Sequence, residues 1–216
     1  MTKENLKCLE EWYNEYRIEC KAALRTALAK IDNVKEMVEQ QTDRSPIDAI
    51  YHRTKKFESV LEKCNRKGYD LTPESIENNI QDIAGIRIIT PFRDDITIVA
   101  DILRSVPGLN IKDEKDYVAN PKPNGYASYH MHLLIEVYNP IKGGTRLVSI
   151  EVQIRDKSMD LWASIEHIIK YKNPDPPPEV EVLFKNAADS LAEFAETAIQ
   201  MRDFSSCENQ ILNNNK

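Results

Sequence analysis

The sequence lacks the features that mark membrane, secreted and disulfide-stabilised proteins. It has no run of about 18 apolar residues, which a membrane-spanning helix requires. Its N-terminal segment carries acidic residues where a signal peptide would have an apolar core. The cysteines stand far apart, without any CxxC pair, at Cys8, Cys20, Cys64 and Cys207. This spacing argues against a zinc cluster and a disulfide framework. We therefore expect a cytoplasmic protein with reduced thiols and no membrane partner.

Common nucleotide-binding and metal-binding motifs are also missing. No predicted strand is followed by GxGxxG or GxxxxGK, so neither a dinucleotide-binding fold nor a P-loop is available to bind phosphate. HExxH does not occur, and we interpret His52, His132 and His167 as structural residues rather than as metal ligands. Any phosphate chemistry must therefore rest on other residues.

Positive charge is scarce overall but concentrated in one segment. The chain has 29 Lys and Arg against 35 Asp and Glu, a net charge of −6, so its average charge gives no reason to bind nucleic acid or anionic lipid. Between residues 52 and 67, however, basic side chains outnumber acidic ones, at Arg53, Lys55, Lys56, Lys63, Arg66 and Lys67. A small, highly charged anion fits this patch better than a long polymer, because the remaining surface would repel a polyanion.

Length and periodicity predict one α+β catalytic unit with helical extensions. We divide the chain into an N-terminal helical extension (1–44), a central domain (45–172), and a C-terminal helix with a polar tail from residue 213 (173–216). The central sheet should be mixed or antiparallel, with about four or five strands. The patterns predict helices at 4–31, 45–67, 73–79, 94–105, 157–171 and 179–204, and strands at 85–92, 108–118, 130–138 and 146–154. The 157–171 helix should bury Leu161, Trp162, Ile165, Ile168 and Ile169.

Two carboxylates are the first candidates for chemistry. Asp82 precedes the 85–92 strand, and Glu151 lies within the 146–154 strand. Taken singly, Asp82 is typical of a turn and Glu151 of a solvent-facing strand position. Together, on adjacent strands opposite a basic helix, they would supply the hard oxygen ligands of a Mg²⁺ site for phosphoryl transfer.

Candidate nucleotide-binding residues lie on one strand and in one loop. Arg87 projects from a mostly apolar strand, where it is either an exposed edge residue or a planar cation that stacks on a base or pairs with phosphate. The 115–130 segment can neutralise phosphate and present a ring to a base through Lys115, Lys122, Asn124, Tyr126 and His130. An ordinary polar surface loop, with Tyr126 turned inward, is the alternative.

Four motifs in register resemble the synthetase domain of the RelA/SpoT family, and in particular its short members, the small alarmone synthetases. The matching segments, within residues 45–172, are HRTKKFESVLEK, QDIAGIRI, KDYVANPKPNGYASYH and VSIEVQIRDKSMDLWASIEHIIKYK. The resemblance implies a nucleotidyltransferase-like fold and a Mg²⁺-dependent transfer of the β,γ-diphosphate of ATP to the 3′-hydroxyl of GDP or GTP. The resemblance adds GMP as a further possible acceptor. It also implies that the protein forms a homo-oligomer, with a tetramer as the expected form.

The resemblance also implies roles for individual residues. Arg53 and Arg87 would sandwich the adenine, and Lys55, Lys56 and Lys63 would hold the ATP phosphates. Asp82 and Glu151 would bind Mg²⁺, and Glu151 would accept the 3′-hydroxyl proton. Tyr126 would stack on guanine. The remaining acceptor contacts would be Lys115, Lys122 and His130 to the 5′-phosphates, Asn124 shaping the loop, and Gln153 with Arg155 in support.

Two positions depart from the family pattern. Ala127 stands where family members generally have arginine after the loop tyrosine, which could change the preference among guanine nucleotides. Asp160 stands where some small synthetases have an asparagine that helps to bind pppGpp as an activator, and a carboxylate would repel that anion.

Two other functions remain open at this point. A toxic small synthetase that pyrophosphorylates the 3′ end of tRNA would need a surface that attracts RNA, which the net charge does not favour. A non-catalytic nucleotide- or RNA-binding regulator would have no use for two neighbouring carboxylates.

Overall fold

The computed structural model describes residues 2–42, 44–173 and 176–214 and contains one mixed sheet packed between helices. The elements, in chain order, are α1 (Lys3–Gln41), β1 (Ala49–Thr54), α2 (Phe57–Lys67), α3 (Pro73–Asn79), β2 (Ala84–Thr90), α4 (Asp95–Ser105), β3 (Asn110–Asp116), β4 (Tyr129–Tyr138), β5 (Thr145–Asp156), α5 (Lys157–Lys172) and α6 (Pro178–Asn214). Within these ranges, every helix is too short or too polar to span a membrane.

The sheet has five strands in the order β1-β2-β5-β4-β3. β2 and β5 run parallel at its centre, and the other neighbours are antiparallel. A parallel pair needs a long crossover, and here the chain makes α4, β3 and β4 before it returns as β5. The predicted α+β class and mixed sheet are confirmed.

The helix α1 covers one face of the sheet. Its buried side recurs every three or four residues, at Leu9, Tyr13, Tyr16, Cys20, Ala23, Leu24, Ala27 and Ile31. This spacing places the side chains on one stripe, which joins the core formed by the apolar face of the sheet. The helix runs to Gln41, beyond the predicted end at residue 31.

The predicted helix at 45–67 is wrong in its first half. Residues Ala49–Thr54 form the edge strand β1, and the helix α2 begins only at Phe57. The Ser45 hydroxyl closes a local turn with the backbone of Ile47 instead of capping a helix, and the strand pairs antiparallel with β2. Consequently Arg53 lies on a strand, and the basic side chains do not form a single helical stripe.

The packing expected of the 157–171 helix is wrong for four of its five apolar residues and correct for Trp162. Trp162 is 2% exposed, whereas Leu161, Ile165 and Ile168 are 54%, 46% and 59% exposed, and Ile169 is 38% exposed. Trp162 packs with Met159 and with Phe184 and Ala188 of α6, so the short cluster between the two helices buries only this side of α5. α6 extends from Pro178 to Asn214, which places residues 213 and 214 of the expected tail in the helix; residues 215 and 216 lie outside the described residues.

Candidate active site

Two cross-strand rows on the polar face of the sheet bring most of the predicted site residues together. One row runs from Arg53 through Gly85 and Glu151 to His132 and Asp113. The next row on the same face contains Tyr51, Arg87, Gln153, His130 and Lys115. Because side chains alternate between the two faces, the intervening residues of the three central strands, Ile86, Val152 and Met131, point into the apolar core.

A cavity of about 240 Å³ lies over these rows. Its walls include Arg53, Arg87, Asp82, Glu151 and Gln153. Both candidate metal ligands and both arginines therefore face one space. Lys56, at the N-cap of α2, is exposed and is not among the lining residues, and Lys115 is likewise exposed on β3.

Asp82 is held by two lysines. Lys55 Nζ lies 2.7 Å from Asp82 Oδ2, and Lys63 Nζ lies 2.9 Å from Asp82 Oδ1. Burial alone would raise the pKa of Asp82, but the hydrogen bonds and charges of the two lysines outweigh it and lower the pKa below its usual value. The carboxylate is thus ionised, and two cations stand at its side.

Glu151 is surrounded by hydrogen-bond donors. Its Oε2 accepts a hydrogen bond of 2.8 Å from Gln153 Nε2, and its Oε1 lies 3.2 Å from His130 Nδ1. His132 Nε2 lies 3.7 Å from the same oxygen, and Asp113 Oδ1 lies 2.7 Å from His132 Nδ1. Burial would raise the pKa of Glu151, but these neighbours, led by His130 and His132, lower it well below its usual range.

His132 and Asp113 belong to this site, although sequence reasoning missed Asp113 and assigned His132 a structural role. The two histidines of the HMH segment are two residues apart in a strand, so they share a face and both reach Glu151. The spacing of two residues between His130 and His132 was the sequence signal that could have placed both histidines beside Glu151.

His132 gives the stability of the protein a pH dependence. Its pKa is raised, first by the interaction with Glu151 and then by Asp113, against the opposing effect of burial. A raised pKa stabilises the fold below the unfolded value of about 6.5, and this stabilisation is lost as pH rises through the folded pKa. We expect His132→Gln to lower Tm by about 2–4 °C at about pH 5.5, with a smaller difference at higher pH. Melting curves of both proteins up to about pH 9 measure this; His52→Gln, at an exposed position, is the control, and a constant difference for His132→Gln would contradict the prediction.

The loop after β3 is fixed by contacts on both sides. The Tyr126 hydroxyl lies 3.1 Å from His130 Nε2 and accepts a hydrogen bond of 2.9 Å from Ser128 Oγ. Lys122 Nζ and Arg155 Cζ lie 4.9 Å and 5.7 Å from the centre of the Tyr126 ring. Asn124 Nδ2 donates a hydrogen bond of 2.8 Å to Glu166 Oε1 on α5. The loop therefore connects the sheet to α5.

The helix α6 also packs against this loop. Gly125 has a φ of +88°, and a Cβ placed on it would lie 2.3 Å from the Cβ of Ala188. Ala127 is buried with Met159, Trp162 and Phe184. The position at which an arginine was expected is thus occupied by a small side chain inside the α5–α6 cluster.

A second cavity of about 710 Å³ adjoins the first, because Arg53 and Arg87 line both. Its other lining residues are Tyr126, Arg155, Ala163, Ser164, Glu166, His167, Ile168 and Lys170. Asp160 lies near its arginines, with Oδ1 3.5 Å from Arg87 Nη1 and 3.6 Å from Arg155 Nη1. The two neighbouring cavities thus share cationic walls, which suit anionic ligands on both sides.

Asp82 and Glu151 suit a hard cation such as Mg²⁺, since both are ionised and both face the first cavity. Among the residues that the structure describes, no group of three or more His, Cys, Asp or Glu forms a metal cage. A cation here would therefore take further oxygens from a bound phosphate, as Mg²⁺ commonly does.

Comparison with known proteins agrees with this geometry. A model of the region found in RelA / SpoT proteins matches residues 52–175. The chain belongs to the RelA/SpoT family. Two of its RelA/SpoT relatives, both from Bacillus subtilis, are GTP pyrophosphokinase YwaC, 38% identical over 186 residues (84% of this chain, 85% of the relative), and GTP pyrophosphokinase YjbM, 32% identical over 194 residues (89% and 90%).

The RelA/SpoT assignment extends to the three-dimensional structure. The crystal structure of small alarmone synthetase 1 from Bacillus subtilis, bound to its product pppGpp, superposes with a TM-score of 0.82 and 31% identity. The match covers 89% of this chain and 97% of the other. The resemblance to small alarmone synthetases in the RelA/SpoT family is confirmed.

Proposed function

We propose that the protein is a GTP pyrophosphokinase that transfers the β,γ-diphosphate of ATP to the 3′-hydroxyl of GDP or GTP, producing ppGpp or pppGpp and AMP. The observation that carries this function is the pair of adjoining cavities, one with two ionised carboxylates and the other with the ring of Tyr126, joined by Arg53 and Arg87. The names of the relatives YwaC and YjbM support the same reaction over the tRNA-modifying and non-catalytic alternatives.

The first cavity is assigned to ATP. Arg53 and Arg87 line its walls and would sandwich the adenine between planar cations. Lys55 and Lys63, which now pair with Asp82, would bind the ATP phosphates, and the exposed Lys56 would join them. These lysines stabilise the charge that spreads over the transferred group.

Asp82 and Glu151 would hold Mg²⁺. The ion, when bound, would neutralise phosphate charge at the reacting centre. The support is the chemistry of the two carboxylates, both ionised in the same cavity.

Glu151 would accept the proton of the 3′-hydroxyl. In the reaction the 3′-oxygen forms a bond to the β-phosphorus of ATP, the bond from that phosphorus to the oxygen of the α-phosphate breaks, and AMP leaves. Glu151 is ionised and so has a free lone pair for the proton, while Gln153 and His130 fix its oxygens.

The second cavity is assigned to the acceptor nucleotide. Tyr126 would stack on the base, and Asn124 would shape the loop through its bond to Glu166. The 5′-phosphates would be bound by Lys115, Lys122 and His130. GMP would be a further acceptor, since the stacking on Tyr126 does not depend on the number of 5′-phosphates.

The organisation of the chain and its assembly are part of the proposal. Residues 45–172 would form the synthetase domain, and 1–44 and 173–216 would be helical extensions. The protein would be cytoplasmic and would assemble into a homo-tetramer. Support for oligomerisation comes from the exposed apolar side chains of α5 and α6, namely Leu161, Ile165, Ile168, Val182, Leu183, Phe194, Met201 and Phe204. A monomeric molar mass in solution, measured by light scattering, would overturn it.

Incubation with γ-labelled ATP and Mg²⁺ tests the function. We expect label on GDP and GTP, with release of AMP, when GMP, GDP, GTP and bulk tRNA are offered separately. Label on tRNA alone would indicate the tRNA-modifying function. Binding of nucleotides without transfer would indicate the regulator. An RNA partner is not favoured, given the net charge of −6.

A further inference from the structure

The acceptor cavity needs a group that identifies the base. Stacking on Tyr126 cannot do so, because every base offers an aromatic face of similar stacking strength. Identification requires hydrogen bonds to the edge of the base. Guanine presents N1–H and the N2 amino group as adjacent donors, whereas adenine presents N1 as an acceptor beside the N6 amino donor. A group that accepts two hydrogen bonds would therefore distinguish the two bases.

Glu166 is the single carboxylate among the described residues that line this cavity. The other charged lining residues, Arg53, Arg87, Arg155 and Lys170, are donors and cannot accept from N1–H or N2–H. Glu166 lies on α5, and its side chain is 21% exposed. It can thus face a ligand while most of its surface is covered by protein.

The known contacts of Glu166 leave acceptor capacity for a base. Asn124 Nδ2 donates to Oε1 at 2.8 Å, and Lys170 Nζ lies 3.0 Å from the same atom. A carboxylate offers about four acceptor positions. Both contacts fall on Oε1, so they orient the group and leave Oε2 for a ligand. Asn124 is also two residues from Tyr126, which fixes the ring and the carboxylate relative to each other.

We propose that Glu166 is the specificity-determining residue that recognises guanine, through N1–H and N2–H, in the base that stacks on Tyr126. This inference rests on the proposed function, which assigns the second cavity to the acceptor nucleotide. Adenine would place a lone pair against the carboxylate and lose a hydrogen bond. A site built to bond a donor discriminates strongly against an analogue that lacks it.

Inosine nucleotides separate recognition from support of the loop, because inosine differs from guanosine only by the missing N2 amino group. With saturating ATP, the wild type should use GDP with a kcat/KM at least about tenfold above that for IDP. Glu166→Gln keeps the size of the side chain and an oxygen for Asn124 but removes the charge and one acceptor. We expect this variant to reduce kcat/KM for GDP to near the value for IDP.

Asn124→Ala is the matched control, since it removes the anchor of the loop and leaves the carboxylate in place. It should weaken the use of both GDP and IDP but keep most of the GDP-to-IDP ratio, because Lys170 still holds the carboxylate. If Glu166→Gln changes this ratio no more than Asn124→Ala does, Glu166 only supports the loop and the proposal is wrong. Melting curves would identify a variant that fails to fold, in which case Glu166→Asp takes its place.

Equilibrium binding keeps this test separate from the reaction itself. The ratio of the dissociation constants of GDP and IDP, measured by calorimetry without ATP, should fall to near one in Glu166→Gln. If the wild type binds GDP over IDP but transfers no diphosphate, the proposed function fails while the base recognition stands. If transfer occurs without any preference of GDP over IDP, the recognition by Glu166 fails while the function stands.

Discussion

Glu151→Gln should lower kcat for diphosphate transfer by about 10³-fold and leave binding of ATP and GDP nearly intact. The substitution keeps the size of the side chain but removes the group that would accept the 3′-hydroxyl proton and one of the two charges that would hold Mg²⁺. Rates from labelled ATP, together with dissociation constants from calorimetry, separate the loss of chemistry from any loss of binding.

Glu136→Gln is the matched control for this change. Glu136 lies on β4 at an exposed position and is not among the residues that line either cavity. Its substitution should leave kcat within a factor of about two, as is usual for surface positions. If Glu151→Gln keeps more than about a tenth of the wild-type kcat, Glu151 is not the proton acceptor.

Gly125→Ala should reduce kcat/KM for the acceptor by about 100-fold and spare the KM for ATP. The residue has a positive φ, which strains any side chain by about 1–3 kcal/mol. The added Cβ would also meet Ala188 at 2.3 Å, so either the loop or α6 must move. Displacing the loop moves Tyr126, whereas the ATP cavity is lined by other residues.

Gly68→Ala is the control for Gly125→Ala, because it adds a side chain at a positive φ without a steric contact. Gly68 has a φ of +69° at the C-terminal end of α2, and a Cβ added there would have no other atom within 4 Å. It should lower Tm through strain and leave the acceptor kcat/KM close to the wild type. Equal acceptor kinetics in the two variants would mean that the contact with Ala188 does not position the loop.

Four of the five strands of the sheet were predictable, and in β2 and β5 the apolar side alternates with polar residues that are unusual within a strand. Arg87, Glu151 and Gln153 interrupt β-branched runs at a period of two, and this spacing alone places them on the polar face of their strands. The parallel pairing of β2 with β5 then brings Asp82 and Glu151 to one cavity.

Two errors arose where tertiary contacts decide the outcome. The sequence of Ala49–Thr54, after a Ser-Pro pair, predicts a helix, but the edge of β2 offers this segment backbone partners along one side. The apolar positions of α5 match a helical stripe, yet among the described residues this helix packs mainly against α6, with fewer contacts to β5 and β2, so the stripe stays exposed in the single chain.

The residues that sequence reasoning missed act through distant partners. Asp113 reaches Glu151 only by way of His132, and Glu166 reaches the loop only because α5 lies beside Asn124. No spacing along the chain encodes these contacts, because each depends on how two elements meet in space. The roles of the individual site residues in binding substrates stay predictions.

The central position of β5 has a consequence for synthesis on the ribosome. β5 is the last strand to be made, yet it joins the β1–β2 pair to the β3–β4 pair. Until it emerges, the two halves of the sheet have no shared strand, and the unpaired backbone groups along the edges of β2 and β4 are open to other chains. We therefore expect the growing chain to be most prone to aggregate just before β5 is complete, and its site to lack Glu151 until then.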